Sequence, residues 1–177
     1  MLACLSPNGR ATYALDEPLT TLLVGTVRGI VSLRPSADRR PWQAVPMGLD
    51  GIQINALATE PKSGTVLVGT AGRGLYASTD RGVTWERRGD GLPDQHVFAM
   101  ALDDRSESPV FYAGMLPPAL YRSRDLGLNW EQLPSLGDVA DAERWEFRAP
   151  PGAAHVKNIA FHPTKPETLY VCIEQGG

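Results

Sequence analysis

Two aspartates head the residues of this chain that could do chemistry. Asp80 and Asp125 each sit in a segment that reads S-x-D-x-G-x-x-W: Ser78-Thr79-Asp80-Arg81-Gly82-Val83-Thr84-Trp85 and Ser123-Arg124-Asp125-Leu126-Gly127-Leu128-Asn129-Trp130. A carboxylate held in a fixed turn could serve as a general acid or base. Arg28 and Arg73, each followed by glycine and an apolar residue, could grip an anion bidentately. His96 and His155 each lead an apolar run, but two histidines with no third ligand do not make a zinc site, so no metal is expected. A last stretch carries Asp138, Asp141, Glu143, Arg144, Trp145, Glu146, Phe147 and Arg148, with Lys157 shortly beyond. An aromatic ring among alternating Glu and Arg could stack on a sugar and hydrogen-bond around it. Asp141, Glu143 and Glu146 could also serve a glycosidase, which needs two carboxylates roughly 5–10 Å apart, but spacing alone selects no pair.

The elements that must position these residues follow from a repeat. The two aspartates are 45 residues apart, and so are the two tryptophans. The flanks recur in step. Thr21-Leu22-Leu23-Val24-Gly25-Thr26, Thr65-Val66-Leu67-Val68-Gly69-Thr70 and Pro109-Val110-Phe111-Tyr112-Ala113-Gly114 are copies, and Thr168-Leu169-Tyr170-Val171-Cys172-Ile173 is a fourth with cysteine in the glycine slot. Ile54–Pro61, Val97–Asp104 and Val156–Pro163 form a second aligned set, with Tyr13–Pro18 as its first member. A period near 45 points to a β-propeller blade. Short β-branched runs punctuated by Gly, Pro, Asp and Asn give four strands per unit. In the second unit these fall near 54–59, 65–70, 74–79 and 83–88, and in the third near 97–102, 109–114, 119–123 and 128–133. No segment holds a helical apolar period. The expected fold is all-β: a partial propeller over 1–177 of four-stranded antiparallel blades, about three and a half of them, near 11–46, 52–89, 95–134 and 156–177. The last two slot positions are 58 residues apart, which places an insertion at about 137–154. Three and a half blades leave a ring open, so the expectation is an N-terminal fragment of a longer propeller, or closure by another segment or self-association through the open edge.

Within that frame the S-x-D-x-G-x-x-W segments fall on the turn between third and fourth strands. There Asp80 and Asp125 can accept backbone N–H groups of their own turn. Gly82 and Gly127 supply positive φ, Ser78 and Ser123 bond across the turn, and Trp85 and Trp130 enter the next strand to pack between blades. These eight residues resemble the Asp-box, or bacterial neuraminidase repeat, of sialidase-like propellers akin to the WD40 and YVTN types. Such repeats also occur in other glycoside hydrolases, sortilin-type receptors and photosystem assembly factors. The resemblance implies that the box is a structural hairpin facing away from the ligand site, so Asp80 and Asp125 are expected to be structural. A site would then lie on the opposite face, among the turns bearing Arg28, Arg73, Met115–Pro118 and Glu174-Gln175, the inter-blade links with Asp94-Gln95-His96, and the insertion.

Composition narrows the partners. With 17 basic and 20 acidic residues the net charge is −3, and no basic stripe suggests nucleic acid. The start is no convincing signal peptide and no apolar run is long enough to span a membrane, so a cytoplasmic protein with Cys4 and Cys172 reduced is expected. No cofactor is expected. The favoured function is a binding or scaffold propeller for a carbohydrate or protein ligand. The alternatives are a glycoside hydrolase and, last, an assembly factor for a larger complex. A sialidase proper lacks support: the Arg-Ile-Pro signature is missing, and none of Tyr13, Tyr76, Tyr112, Tyr121 and Tyr170 is evidently paired with a glutamate.

Overall fold

A computed structural model describes residues 2–6, 8, 20–36, 42–93, 96–140, 142–149 and 152–174. They form four sheets in chain order. The first holds β1 (Leu2–Leu5), β2 (Thr21–Thr26), β3 (Gly29–Pro35) and β4 (Trp42–Pro46). The second holds β5 (Ile54–Thr59), β6 (Val66–Thr70), β7 (Leu75–Ser78) and β8 (Glu86–Arg88). The third holds β9 (His96–Asp103), β10 (Val110–Leu116), β11 (Leu120–Ser123) and β12 (Glu131–Leu133). The fourth is the hairpin β13 (Val156–Phe161) and β14 (Leu169–Ile173). The second and third sheets are antiparallel meanders ordered as in the sequence, because each connection is a short turn rich in Gly, Pro or Asp.

Two expectations need correction. The inner strand of the first sheet is Leu2–Leu5, which runs parallel to β2, with Cys4 opposite Leu23. The segment expected there, Tyr13–Pro18, lies outside the described residues. The tryptophans also do not enter the fourth strands. β8 begins at Glu86 and β12 at Glu131, one residue after each tryptophan. The cause is local: the Asp80 carboxylate takes the N–H groups of Val83 and Thr84, and Asp125 takes that of Asn129, so these groups are diverted from any ladder.

The sheets stack through a shared rule. Alternate residues of each second strand face the next sheet, and the glycine slot sits among them. A Cβ at Gly25 would stand 2.6 Å from Cγ2 of Ile54, one at Gly69 2.6 Å from Cγ1 of Val97, and one at Gly114 would overlap Val156. Each glycine thus admits the leading β-branched residue of the following sheet. The core is divided accordingly. One cluster joins sheets one and two through Leu23, Ile30, Ile54, Leu57, Val66 and Val68. A second joins two and three through Leu67, Val97, Phe111 and Trp130, and a third joins three and four through Ala99, Leu120, Val156 and Ile159.

Candidate functional site

Antiparallel alternation sorts the turns onto two ends. The turns β2–β3, β6–β7 and β10–β11 lie at one end, together with the links into β9 and β13. The turns β7–β8 and β11–β12, which carry the two aspartates, lie at the other.

At the aspartate end the two turns are built alike. Ser78 Oγ accepts the N–H of Gly82 at 2.7 Å and donates to Asp80 Oδ1 at 2.7 Å. Ser123 repeats this with Gly127 at 2.9 Å and Asp125 at 2.8 Å. Asp80 Oδ2 accepts the Thr84 hydroxyl at 2.6 Å, and Asp125 Oδ2 accepts the Asn129 amide at 2.8 Å. The hydrogen bonds from Thr84 pull the Asp80 carboxyl down to about 2. A carboxylate so occupied, and so reluctant to take a proton, is unsuited to acid catalysis. The residue between Asp and Gly takes a left-handed backbone in both copies, φ 63° at Arg81 and 59° at Leu126. The tryptophans differ. The Trp85 indole donates to the Met47 carbonyl of the preceding sheet at 2.6 Å, whereas that of Trp130 donates to Gly127 of its own turn at 3.0 Å.

The opposite end gathers every other candidate that is described. Arg28 and Arg73 are exposed. Their turns are held by the preceding threonines: the hydroxyls of Thr26 and Thr70 accept the N–H of Arg28 and Arg73 at 3.0 and 3.1 Å and donate to the carbonyls of Gly29 and Gly74. His96 is half-buried at the head of β9, beside the β6–β7 turn: a Cβ at Gly72 would stand 3.4 Å from its Nε2. Asp94, Gln95, Asp141 and Gln175 lie outside the described residues, as does the side chain of Glu143.

The insertion comes back onto this end through His155. The imidazole is fully buried, with Phe98 against one face at 3.8 Å between centroids and Phe147 edge-on at 5.2 Å. Nδ1 lies 3.1 Å from the Ala153 carbonyl and Nε2 2.8 Å from Glu174 Oε2. Lys157 Nζ reaches the same oxygen at 2.9 Å. The hydrogen bond from Lys157 holds the Glu174 carboxyl below the usual range. His155, Lys157 and Glu174 thus form one cluster that pins the end of the insertion to β14. Sequence reasoning named all three but did not join them. The hairpin register could have done so, because His155 precedes Val156 and Glu174 follows Ile173, which are paired.

Beside this cluster lies an open cavity of about 430 Å³ lined by Trp145, Phe147, Arg148, Glu146, Pro117 and Pro118, together with residues 152–154. Arg148 pairs with Glu146 at 2.8 Å on the exposed rim. Trp145 and Phe147 are half-buried. The cavity is lined by two aromatic side chains and one ion pair, which suits an uncharged ligand with both apolar and hydroxyl surface. Among the described residues no group of three His, Cys, Asp or Glu is placed to hold a metal, and no helix is long and apolar enough to cross a membrane.

Solved structures carry the same fold. The GH74 xyloglucanase from Xanthomonas campestris superposes over 92% of this chain with a TM-score of 0.54 at 18% identity. The fold is a β-propeller of four-stranded blades. The GH74 enzyme of Niastella koreensis matches over 84% of the chain with a TM-score of 0.51 at 16% identity. Each match takes in about a quarter of the larger chain, 25% and 24%. No protein-family model matches the sequence. Among curated proteins, the Photosystem II assembly lipoprotein Ycf48 of Synechococcus sp. (strain CC9902) is 32% identical over 127 residues, 71% of this chain. The Xyloglucanase of Hypocrea jecorina is 26% identical over 172 residues, 97% of this chain. The chain spans only 37% of the first relative's length and 15% of the second's.

Proposed function

We propose that this chain is a binding segment of an Asp-box propeller, taking a neutral oligosaccharide at the cavity beneath the insertion. The observation that carries the reading is the pairing of that cavity with its surroundings. Trp145, Phe147 and the two prolines supply flat apolar surfaces, and Glu146 and Arg148 supply hydrogen-bonding groups of cancelling charge. Catalysis is not needed to explain the site. Of the two carboxylates at and beside the cavity, Glu146 is paired with Arg148, and Glu174 is shared by His155 and Lys157 and held in its ionised form. The xyloglucanases among the relatives support a glycan as ligand and make hydrolysis the second reading. Ycf48, named for photosystem II assembly, supports a scaffold role as a further reading.

Calorimetric titration of the chain with xyloglucan oligosaccharides tests the proposal, with reducing ends assayed in the same samples. Saturable binding without release of reducing ends, lost in Trp145→Ala, is the expected result. Release of reducing ends transfers the weight to a hydrolase. Absence of binding to a panel of neutral glycans sinks the carbohydrate reading and leaves the protein-scaffold one.

A further inference from the structure

We infer that His155 is the positioning residue of the insertion cavity, a clasp that holds the Ala153 wall only while both of its ring nitrogens carry a proton. As a control on glycan binding, which rests on the function proposed for that cavity, the clasp makes affinity fall as pH rises through neutrality. The ring touches two of the cavity's walls. Phe147 stands edge-on to it at 5.2 Å between centroids, and Nδ1 lies 3.1 Å from the Ala153 carbonyl. Both residues line the cavity. The stretch before Ala153 closes on itself, Gly152 donating its N–H to Ala149 at 2.7 Å, and the Nδ1 bond ties this turn to the hairpin.

The partners decide the protonation. The Ala153 carbonyl oxygen accepts and never donates. The same holds for the Glu174 carboxylate, 2.8 Å from Nε2, because the Lys157 ammonium on that oxygen keeps it ionised. Two acceptors flank one fully buried ring, and only the imidazolium satisfies both. Among the described residues, β9 brings Phe98 to this ring, the insertion brings Phe147 and Ala153, and the end of β14 brings Glu174, with Lys157 of β13 beyond it. Loss of one proton does not fall equally on the two bonds. The bond to the carboxylate is charge-assisted and roughly twice as strong as a neutral one. The remaining proton therefore stays on Nε2, and Nδ1 turns a lone pair on the Ala153 carbonyl. These two acceptors repel, residues 152–154 leave the hairpin, and the cavity loses that wall. Glu174→Gln has the opposite consequence. Its amide can donate to Nε2, which leaves the proton of a neutral ring on Nδ1 and the Ala153 bond intact.

The test combines nitrogen-15 NMR of the histidine rings with calorimetric titration of xyloglucan oligosaccharides, both from about pH 5 to about pH 8, the range in which histidine exchanges its proton. His96→Gln and His162→Asp tell the three histidines apart. The expected result is a doubly protonated His155 at the acid end, loss of the Nδ1 proton as pH rises, and a several-fold loss of affinity with the same midpoint. In Glu174→Gln the affinity should stay level across the range. A His155 ring that is neutral throughout overturns the inference. So does an affinity that stays level in the parent while the ring titrates, or one that falls equally in Glu174→Gln. If no oligosaccharide binds, the glycan reading falls and the clasp is judged on the unliganded chain. There the Gly152 amide must lose protection from hydrogen exchange as His155 loses its proton, after correction for base catalysis of exchange, and level protection overturns the clasp.

Discussion

The joint between Gly25 and Ile54 gives a sharp energetic test of the stacking rule. In Gly25→Ala the new Cβ meets Ile54 Cγ2 at 2.6 Å and Leu57 Cδ1 at 3.0 Å, against an ordinary contact of 3.4–4 Å. Gly25 does not hold a positive φ, so the substitution acts through packing and not through backbone strain. Overpacking of this kind costs about 1–3 kcal/mol. Ile54→Ala removes three carbons from a side chain only 2% exposed, at about 0.8 kcal/mol each for transfer plus a cavity term, or about 2–5 kcal/mol in all. In the double variant the clashing Cγ2 is gone, the nearest remaining Ile54 atom is Cβ at 3.1 Å, and the added methyl fills part of the cavity. The double variant should therefore be more stable than the sum of the single losses by about 1–2 kcal/mol, a coupling typical of residues in contact. Equilibrium urea unfolding followed by circular dichroism measures all four corners of the cycle. Additivity within about 0.5 kcal/mol, or a Gly25→Ala variant no less stable than the parent, would refute the slot as the device that sets sheet spacing.

Further outcomes follow from the turns. Ser78→Ala strands the buried Gly82 N–H and should cost about 1–3 kcal/mol in unfolding free energy while leaving glycan affinity unchanged. Because Asp80 has a folded value of about 2 against an ordinary 3.8, its contribution to stability is present above 3.8 and is lost as pH falls through about 2; a parent-minus-Asp80→Asn difference in thermal midpoint that stays flat across that window would contradict this. His162 Nδ1 accepts the N–H groups of Thr164 and Lys165 at 3.1 Å, as Glu60 accepts those of Lys62 and Ser63 at the matching place in sheet two. His162→Asp should therefore keep both amides protected from hydrogen exchange, whereas His162→Ala should expose them at a cost of about 1 kcal/mol.

Much of the fold was legible because each unit repeats the same local instructions. The glycine slots, the alternating apolar runs and the Ser-Asp-Gly turns fixed strand order and the end on which each turn lies. The inner strand of sheet one was not legible. Leu2-Ala3-Cys4-Leu5 has no counterpart in the repeat and runs against its direction, so alignment could not find it. The start of β8 and β12 differs because β propensity places Trp in a strand, while the aspartate carboxylate of the same turn claims the intervening amides. For the candidate site, the sequence places Trp145, Glu146 and Arg148 side by side on the insertion. Their meeting with Pro117 and Pro118 was not legible, since it depends on how a non-repeating insertion returns to the blade end.

The unequal tryptophans bear on how freely this sequence can drift. At the outer margin of the first joint, the Trp85 indole donates to the Met47 carbonyl, a tie that one substitution removes. At the second joint Asp90 donates its N–H to Leu128 and accepts that of Trp130, a fastening made of main chain. No side-chain replacement deletes those two bonds, short of proline at position 90 or 130. The demand at the second margin falls instead on Gly91, where a Cβ would overlap the Trp130 carbonyl, so drift is limited at a glycine there and at an indole in the first joint.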